Sequence, residues 1–330
     1  MTAREPAGAA AAAAAPPRAR RLRRVAGSLL AAGALALAGL WWRPLDPRTE
    51  VDIRSHALVS LERVPRPELG RGVERWLLLG PDGDSVTALW RAPDREPGRG
   101  ADGGPVWAVV LLGGIGTDDR AALLVPDELP VGVLAVSWPW KGPRRMGRLR
   151  FVASTPALHA SLLRTPRALA RGVEAVRREL PGARIAMVGA SLGVPPTVAA
   201  LPLVRADALV LVGGAADLGR LLRSETARAL GGGPLAAGAA WLAAPLGAWL
   251  LAPLEPSRVE STARALPTLL VDAEREDRLP RECIERLHAV FPHAERAVHP
   301  GAHLRPEDER QMRVILDTAW GWMQRLAVGG

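Results

Sequence analysis

Residues Ile185–Gly193 read IAMVGASLG, and the fold follows from how that run ends. A short apolar segment gives way to Gly189-Ala190-Ser191-Leu192-Gly193, a G-x-S-x-G pattern placed where a buried strand would turn into a helix. A serine at the tip of so sharp a turn takes a strained backbone conformation. Glycines on either side remove the Cβ atoms that would collide as strand and helix close on each other. The turn lifts the Ser191 hydroxyl above the sheet edge and aims the first helical amides at whatever that hydroxyl attacks. Pro195 and Pro196 fit the first helical turn, whose amides lack intrahelical partners, and they leave the Leu192 amide available. Glycine makes up 34 of the 330 residues, so the pattern recurs by chance and its surroundings must decide.

Outward from the turn, short apolar runs alternate with helical stretches. Val51–Val64 and Val73–Pro93 read as antiparallel strands, the second broken by the turn Pro81-Asp82-Gly83-Asp84. Val106–Leu112, Val131–Val136, Arg184–Val188, Ala208–Val212 and Thr268–Val271 are continuous apolar runs, which suit strands buried on both faces. Helical spacing marks Thr165–Leu180, Leu192–Leu203, Pro280–Phe291 and Glu307–Leu326; the last places Met312, Ile315, Ala319, Trp322 and Leu326 on one stripe. The pattern predicts one α/β domain over residues 51–330, a mostly parallel sheet with helices on both faces. No internal repeat is present.

This order of features resembles the α/β-hydrolase superfamily at four places. The first is the turn at Ser191. The second, VVLLGGIGTDD (Val109–Asp119), is similar to the oxyanion loop after the third strand of that fold, with Gly113-Gly114 standing where His-Gly is common. The third is LPTLLVDAEREDRLP (Leu266–Pro280), similar to the strand and turn that carry the acid. The fourth is AVHPGAHL (Ala297–Leu304), similar to the loop that carries the base. The chain order serine, acid, histidine agrees as well.

The resemblance implies Ser191 as nucleophile and the amides of Leu192 and Ile115 as oxyanion donors. His303 is the candidate base, because its Pro-Gly-Ala loop frees it to reach the turn; His299 is the rival, at or near the end of a strand. Counting back from Pro280 puts Glu276 at the family's acid position. Asp277, one residue on and shorter, is the slightly preferred choice, with Asp272 and Asp217 as outside candidates. The chemistry implied is that of a carboxylesterase or lipase-like enzyme acting on an ester or thioester through an acyl-enzyme, with no metal or organic cofactor. Acyl transfer would use the same triad, and a non-catalytic binding protein could retain the fold.

Gly231–Leu254 carries no charge (GGGPLAAGAAWLAAPLGAWLLAPL). A full membrane crossing there would separate Ser191 from His303, and Pro234, Pro245 and Pro253 cut the run into pieces. Residues 218–263 therefore read as a helical cap insertion, with Trp241, Leu242, Leu246, Trp249 and Leu250 offering an apolar lining for substrate. A hairpin packed only on the core, or a contact with a bilayer surface, are the alternatives.

The amino terminus is different in kind. Residues 1–17 are Ala/Pro-rich, and residues 1–24 together read as a disordered basic tail with six arginines against Glu5. Val25–Trp42 follows without a charge; at about 1.5 Å per residue such a run spans a bilayer core. Trp41-Trp42 fit the interface, and the arginine cluster places the amino terminus in the cytoplasm. The reading is a single-pass transmembrane anchor with the catalytic domain on the extracytoplasmic side. The alternative is a secretory signal cleaved near Ala36-Leu37-Ala38.

The tail holds more than half of the net charge of +9, and no basic stripe with interleaved aromatics follows it, which argues against a nucleic-acid partner. Lys141–Arg150 (KGPRRMGRLR) reads as a solvated basic loop. Cys283, the only cysteine, forbids an internal disulfide and reads as a small buried side chain.

Overall fold

A computed structural model describes residues 56–81, 83–93, 106–114, 117–140, 148–229, 231, 233–259 and 266–328. The basic tail, the anchor segment Val25–Trp42, Ile115 and most of the 141–150 basic run lie outside the described residues. Among the described residues no helix is long and apolar enough to cross a membrane.

Nine strands form one sheet in the order β1-β2-β3-β5-β4-β6-β7-β8-β9. β1 (Ser60–Pro65), β2 (Val73–Leu79) and β3 (Ser85–Arg91) make an antiparallel meander, and β3 also runs antiparallel to β5 (Val131–Val136). β4 (Trp107–Leu112) lies between β5 and β6 (Arg184–Ala190), parallel to both. β7 (Ala208–Val212), β8 (Thr268–Ala273) and β9 (Glu295–His299) continue the parallel array. The helices are α1 (Arg148–Glu179), α2 (Val194–Ala200), α3 (Leu218–Ala229), α4 (Pro234–Leu250), α5 (Arg281–Val290) and α6 (Glu309–Val328).

The continuous apolar runs are explained by what covers each face. Side chains alternate along a strand, so Ala108, Val110 and Leu112 of β4 join a core with Leu169 and Val173 of α1, Val198 of α2 and Leu287 of α5. Trp107, Val109 and Leu111 point the other way, into a second core with Ala121, Ala122 and Val125 and with Ile315, Trp322 and Met323 of α6. The sheet is thus filled on both sides, with the 3-10 turn Asp118–Leu124 and α6 forming one layer.

β1 begins at Ser60, later than the strand start at Val51 that the sequence suggests, and two further element boundaries differ from expectation. Thr165-Pro166 reads as a helix start, since proline suits a first turn, yet α1 begins at Arg148 and runs through it. Leu162, Leu169, Val173 and Val176 keep one buried stripe across the proline, and the Thr165 hydroxyl donates to the Ser161 carbonyl at 2.8 Å. Packing here outweighs the local breaker. The last difference is at the elbow: Ser191–Gly193 is a 3-10 turn before α2, and Leu201–Leu203 is another after it.

The glycines of the elbow are required by close approach. A Cβ on Gly193 would lie 2.3 Å from the Leu112 carbonyl oxygen, and one on Gly189 would lie 2.9 Å from Thr197 Oγ1 and 3.1 Å from Val194 Cα. Gly193→Ala must therefore push β4 and the elbow apart. We expect a loss of about 1–3 kcal/mol or more, read as a lowered thermal midpoint by circular dichroism. Gly238→Ala, where an added Cβ meets nothing within 4 Å, serves as the neutral control; equal midpoints for the two variants would contradict this account of the turn.

Candidate active site

β6 ends at Ala190, and the chain reverses at Ser191 with φ of 52°, one of three non-glycine residues with positive φ among the described residues. Such a conformation costs on the order of 1–3 kcal/mol and persists only where the surroundings enforce it. Here β6 and α2 enforce it through the two glycines. Proline occupies the first turn of α2, where no intrahelical donor is lost. The amides of Ser191, Leu192 and Gly193 precede the first hydrogen bond of the turn, Val194 N–H to Ser191 O, so none has a partner within the turn itself.

The histidine and its carboxylate are delivered by β8 and β9. These strands pair through Ala273↔His299, and the pairing continues past their ends. The Glu274 amide donates to His299 O at 3.0 Å, and the Arg275 amide to Gly301 O at 2.9 Å. Glu276 and His303 consequently emerge side by side. Ser191 Oγ lies 2.9 Å from His303 Nε2, and His303 Nδ1 lies 2.9 Å from Glu276 Oε2.

The His303 and Glu276 side chains are 5% and 10% exposed. An ionised carboxylate only accepts, so Nδ1 carries the imidazole proton; Nε2 is left to accept from the serine hydroxyl. Burial alone would raise the Glu276 pKa. Hydrogen bonds from His303 and from the Leu279 and Arg278 amides outweigh it and hold the carboxyl below the usual glutamate range.

The two adjacent carboxylates therefore have different positions. Glu276 reaches the imidazole; Asp277, the slightly preferred choice from sequence, does not. Its Oδ1 accepts the backbone amide of His303 at 3.3 Å, and its Oδ2 lies 3.7 Å from Arg305. The Asp277 side chain is 54% exposed. The reason is the turn: Glu276 Oε1 caps the Arg278 and Leu279 amides, which points Oε2 inward and its neighbour outward.

The other candidates lie elsewhere. Asp272 faces α5 and pairs with His288 Nε2 at 2.8 Å. Asp217 accepts from the Arg220 amide at 3.1 Å and caps α3. His299 is buried as the last residue of β9, with Nδ1 3.1 Å from Pro300 O and 3.3 Å from Gln311 Nε2. Cys283 is fully buried; burial, then the Asp217 charge, pushes its thiol up to about 11, so it is inert at neutral pH.

Two supporting arrangements left no mark in the sequence motifs. Gln311 of α6 donates through Nε2 to Ala302 O at 2.9 Å and accepts the Arg305 amide on Oε1 at 2.7 Å, holding the His303 loop on both sides. Around Gly113-Gly114, Trp138 Nε1 donates to Gly113 O at 2.9 Å, and Thr117 Oγ1 donates to Gly114 O at 3.0 Å. Gln311 lies six to nine residues from the loop it holds and Trp138 lies 25 from Gly113, and neither belongs to a motif of the sequence, so motif spacing does not expose them. Of the two oxyanion candidates, Leu192 sits directly after Ser191 in the turn, and Ile115 lies outside the described residues.

This architecture is matched by solved structures. Est1E from Butyrivibrio proteoclasticus superposes with a TM-score of 0.51 at 15% identity, covering 77% of this chain and 98% of its own. A Mycobacterium tuberculosis puromycin-hydrolyzing peptidase superposes with a TM-score of 0.56 at 16% identity, covering 80% of this chain and 40% of its own. The chain has the α/β-hydrolase fold. No protein-family model matches its sequence, and no curated protein matches it either.

In this α/β-hydrolase domain a cavity of about 500 Å³ opens beside Ser191 and Leu192. Its walls include Val188 and Val212 from the sheet, Ala121 and Leu124 from the 118–124 turn, and Met312 and Ile315 from α6. These are residues of the second core layer or its edge.

Trp241 and Trp249 of α4 do not form the expected cap lining: they are 64% and 45% exposed and line no wall of this cavity. The α3–α4 hairpin packs on the opposite sheet face. Leu218 and Leu254 join the α1–α2 core, His159 Nε2 of α1 contacts Leu250 O at 2.7 Å, and Gly247 and Gly219 let the two helices approach closely. The hairpin buries one face there, through Ala236, Ala240 and Leu250, and leaves Trp241 and Trp249 exposed. No group of three or more His, Cys, Asp or Glu suited to a metal occurs among the described residues.

Proposed function

We propose that this chain is a serine hydrolase that cleaves an ester or thioester of an apolar acyl group through an acyl-enzyme. The observation that carries the reading is the continuous line from Ser191 Oγ to His303 Nε2 and from His303 Nδ1 to Glu276, both contacts 2.9 Å, on a strained turn. Ser191 attacks the carbonyl carbon as His303 takes its proton, and Glu276 orients the imidazole and balances its charge. The Leu192 amide, with that of Ile115, stabilises the oxyanion, at about 2.7–4 kcal/mol per donor. His303 then gives the proton to the leaving group, and a water activated by the same imidazole releases the acid.

The largely apolar cavity between the 118–124 turn and α6 supports an acyl chain as its occupant. A series of phenyl esters of increasing chain length, assayed by kcat/KM, tests this. Met312→Trp, which narrows that cavity, is expected to move the optimum to shorter chains. An unmoved optimum would place the acyl chain elsewhere. Residues 1–42 extend the reading to a membrane-held protein with this domain on the extracytoplasmic side, for which protease accessibility of spheroplasts is the test.

A further inference from the structure

A second pocket, of about 470 Å³, is lined by His303 and adjoins the first along Arg278, Leu304, Pro306 and Glu307; its chemistry is the reverse of the first. His303, Arg228, Arg278 and Arg305 line it, together with Asp277 and Glu307. Its position matters because the imidazole that takes the serine proton must hand it to the departing oxygen or sulfur. The leaving group therefore sits on the His303 side, and the acyl chain on the Leu192 side.

Three of the five charged side chains that line this pocket beside His303 are already paired. Asp277 pairs with Arg305 at 3.7 Å. Arg228 pairs with Glu225 at 2.8 Å and also donates to the Arg278 carbonyl at 2.6 Å, which anchors the 276–280 turn. The Arg278 guanidinium makes no ion pair among the described residues, and it borders both the polar pocket and the apolar cavity. Glu307, also on both rims, makes none either.

Resting on the hydrolase reading above, we propose that the alcohol or thiol half of the substrate bears an anionic group, a carboxylate or a phosphate, which Arg278 binds. A guanidinium at the seam of the two pockets can hold such a group by charge-assisted, bidentate hydrogen bonds while the acyl chain extends the other way. Glu307 opposes the anion and sets how strongly the site attracts it. The substrate is then amphiphilic, with an apolar acid half and an anionic alcohol or thiol half.

The test uses the full-length protein and phenyl hexanoates matched except for one ring substituent: carboxylate, carboxamide or phosphate. The carboxylate or phosphate ester is expected to exceed the carboxamide in kcat/KM by about tenfold, with an advantage that shrinks as salt rises. Whichever anion shows the larger advantage identifies the group. Arg278→Gln lowers the anion-to-carboxamide ratio about tenfold, and Glu307→Gln raises it. General damage to the site would move both ratios alike.

A calorimetric titration of the carboxylate-bearing phenol into Ser191→Ala protein keeps the question separate from catalysis, with Arg278→Gln expected to weaken binding. Equal kcat/KM for the three esters, parallel shifts in both variants, or phenol binding indifferent to Arg278 overturns the anion site. Anion binding that depends on Arg278, in a protein that a fluorophosphonate does not label, overturns the hydrolase reading and leaves the anion site standing.

Discussion

Ser191→Ala is expected to abolish fluorophosphonate labelling and to lower ester turnover by at least about 10⁴-fold. Its fold should survive. Alanine has the same Cβ as serine, so the strained φ of 52° is neither relieved nor worsened, and the thermal midpoint should stay within a few degrees. Ser191→Gly separates the two roles of the position. It is equally inactive, but glycine adopts positive φ without steric cost, so that variant should gain up to about 1 kcal/mol of stability. Labelling that persists in Ser191→Ala would move the nucleophile elsewhere and remove the mechanism. A Ser191→Gly variant no more stable than wild type would mean that the turn stores no strain.

The second large effect distinguishes two neighbouring carboxylates. Glu276→Gln keeps the size of the side chain but removes the acceptor-only oxygens that hold the Nδ1 proton. Turnover should fall by roughly 10³–10⁴ as the wrong tautomer becomes populated. Asp277→Asn should cost less than about tenfold, because the asparagine oxygen can still accept the His303 amide and the side chain is mostly solvated. Reversal of this order would mean that the acid is Asp277.

A stability signature accompanies the pair. Glu276 titrates below its ordinary value in the folded state. Its contribution is therefore whole above the unfolded pKa, about 4.3, and is lost as pH falls through the lower folded value. Wild type should exceed Glu276→Gln in thermal midpoint at neutral pH, and the gap should close in acid.

The contrast between Glu276 and Asp277 also shows where sequence reading stops. The spacing to Pro280 singles out Glu276, and side-chain length favours Asp277; neither decides between them. The decision is made by the Arg278 and Leu279 amides, which capture Glu276 Oε1, and by the β8–β9 pairing, which fixes the height at which His303 emerges. His303 over His299 was legible, because a residue closing a strand is held by the ladder while a Pro-Gly loop frees one four positions later. Trp241 and Trp249 were misplaced for a different reason. An uncharged helical segment announces that it must bury one face, but nothing in its composition says against which side of the sheet.

Local chemistry determined the parts that depend on neighbours along the chain. The continuous apolar runs required strands covered on both faces, and Gly-x-Ser-x-Gly required a reversal too tight for any Cβ at its flanks. Those constraints act within a few residues, so they are written in order along the sequence. Only the tertiary structure decided which carboxylate meets the imidazole, that Gln311 holds the histidine loop, and that the cavity beside Ser191 is closed by the 118–124 turn and α6. Each of these is a contact between segments joined by no local pattern, fixed by strand register and by the packing of two separate core layers.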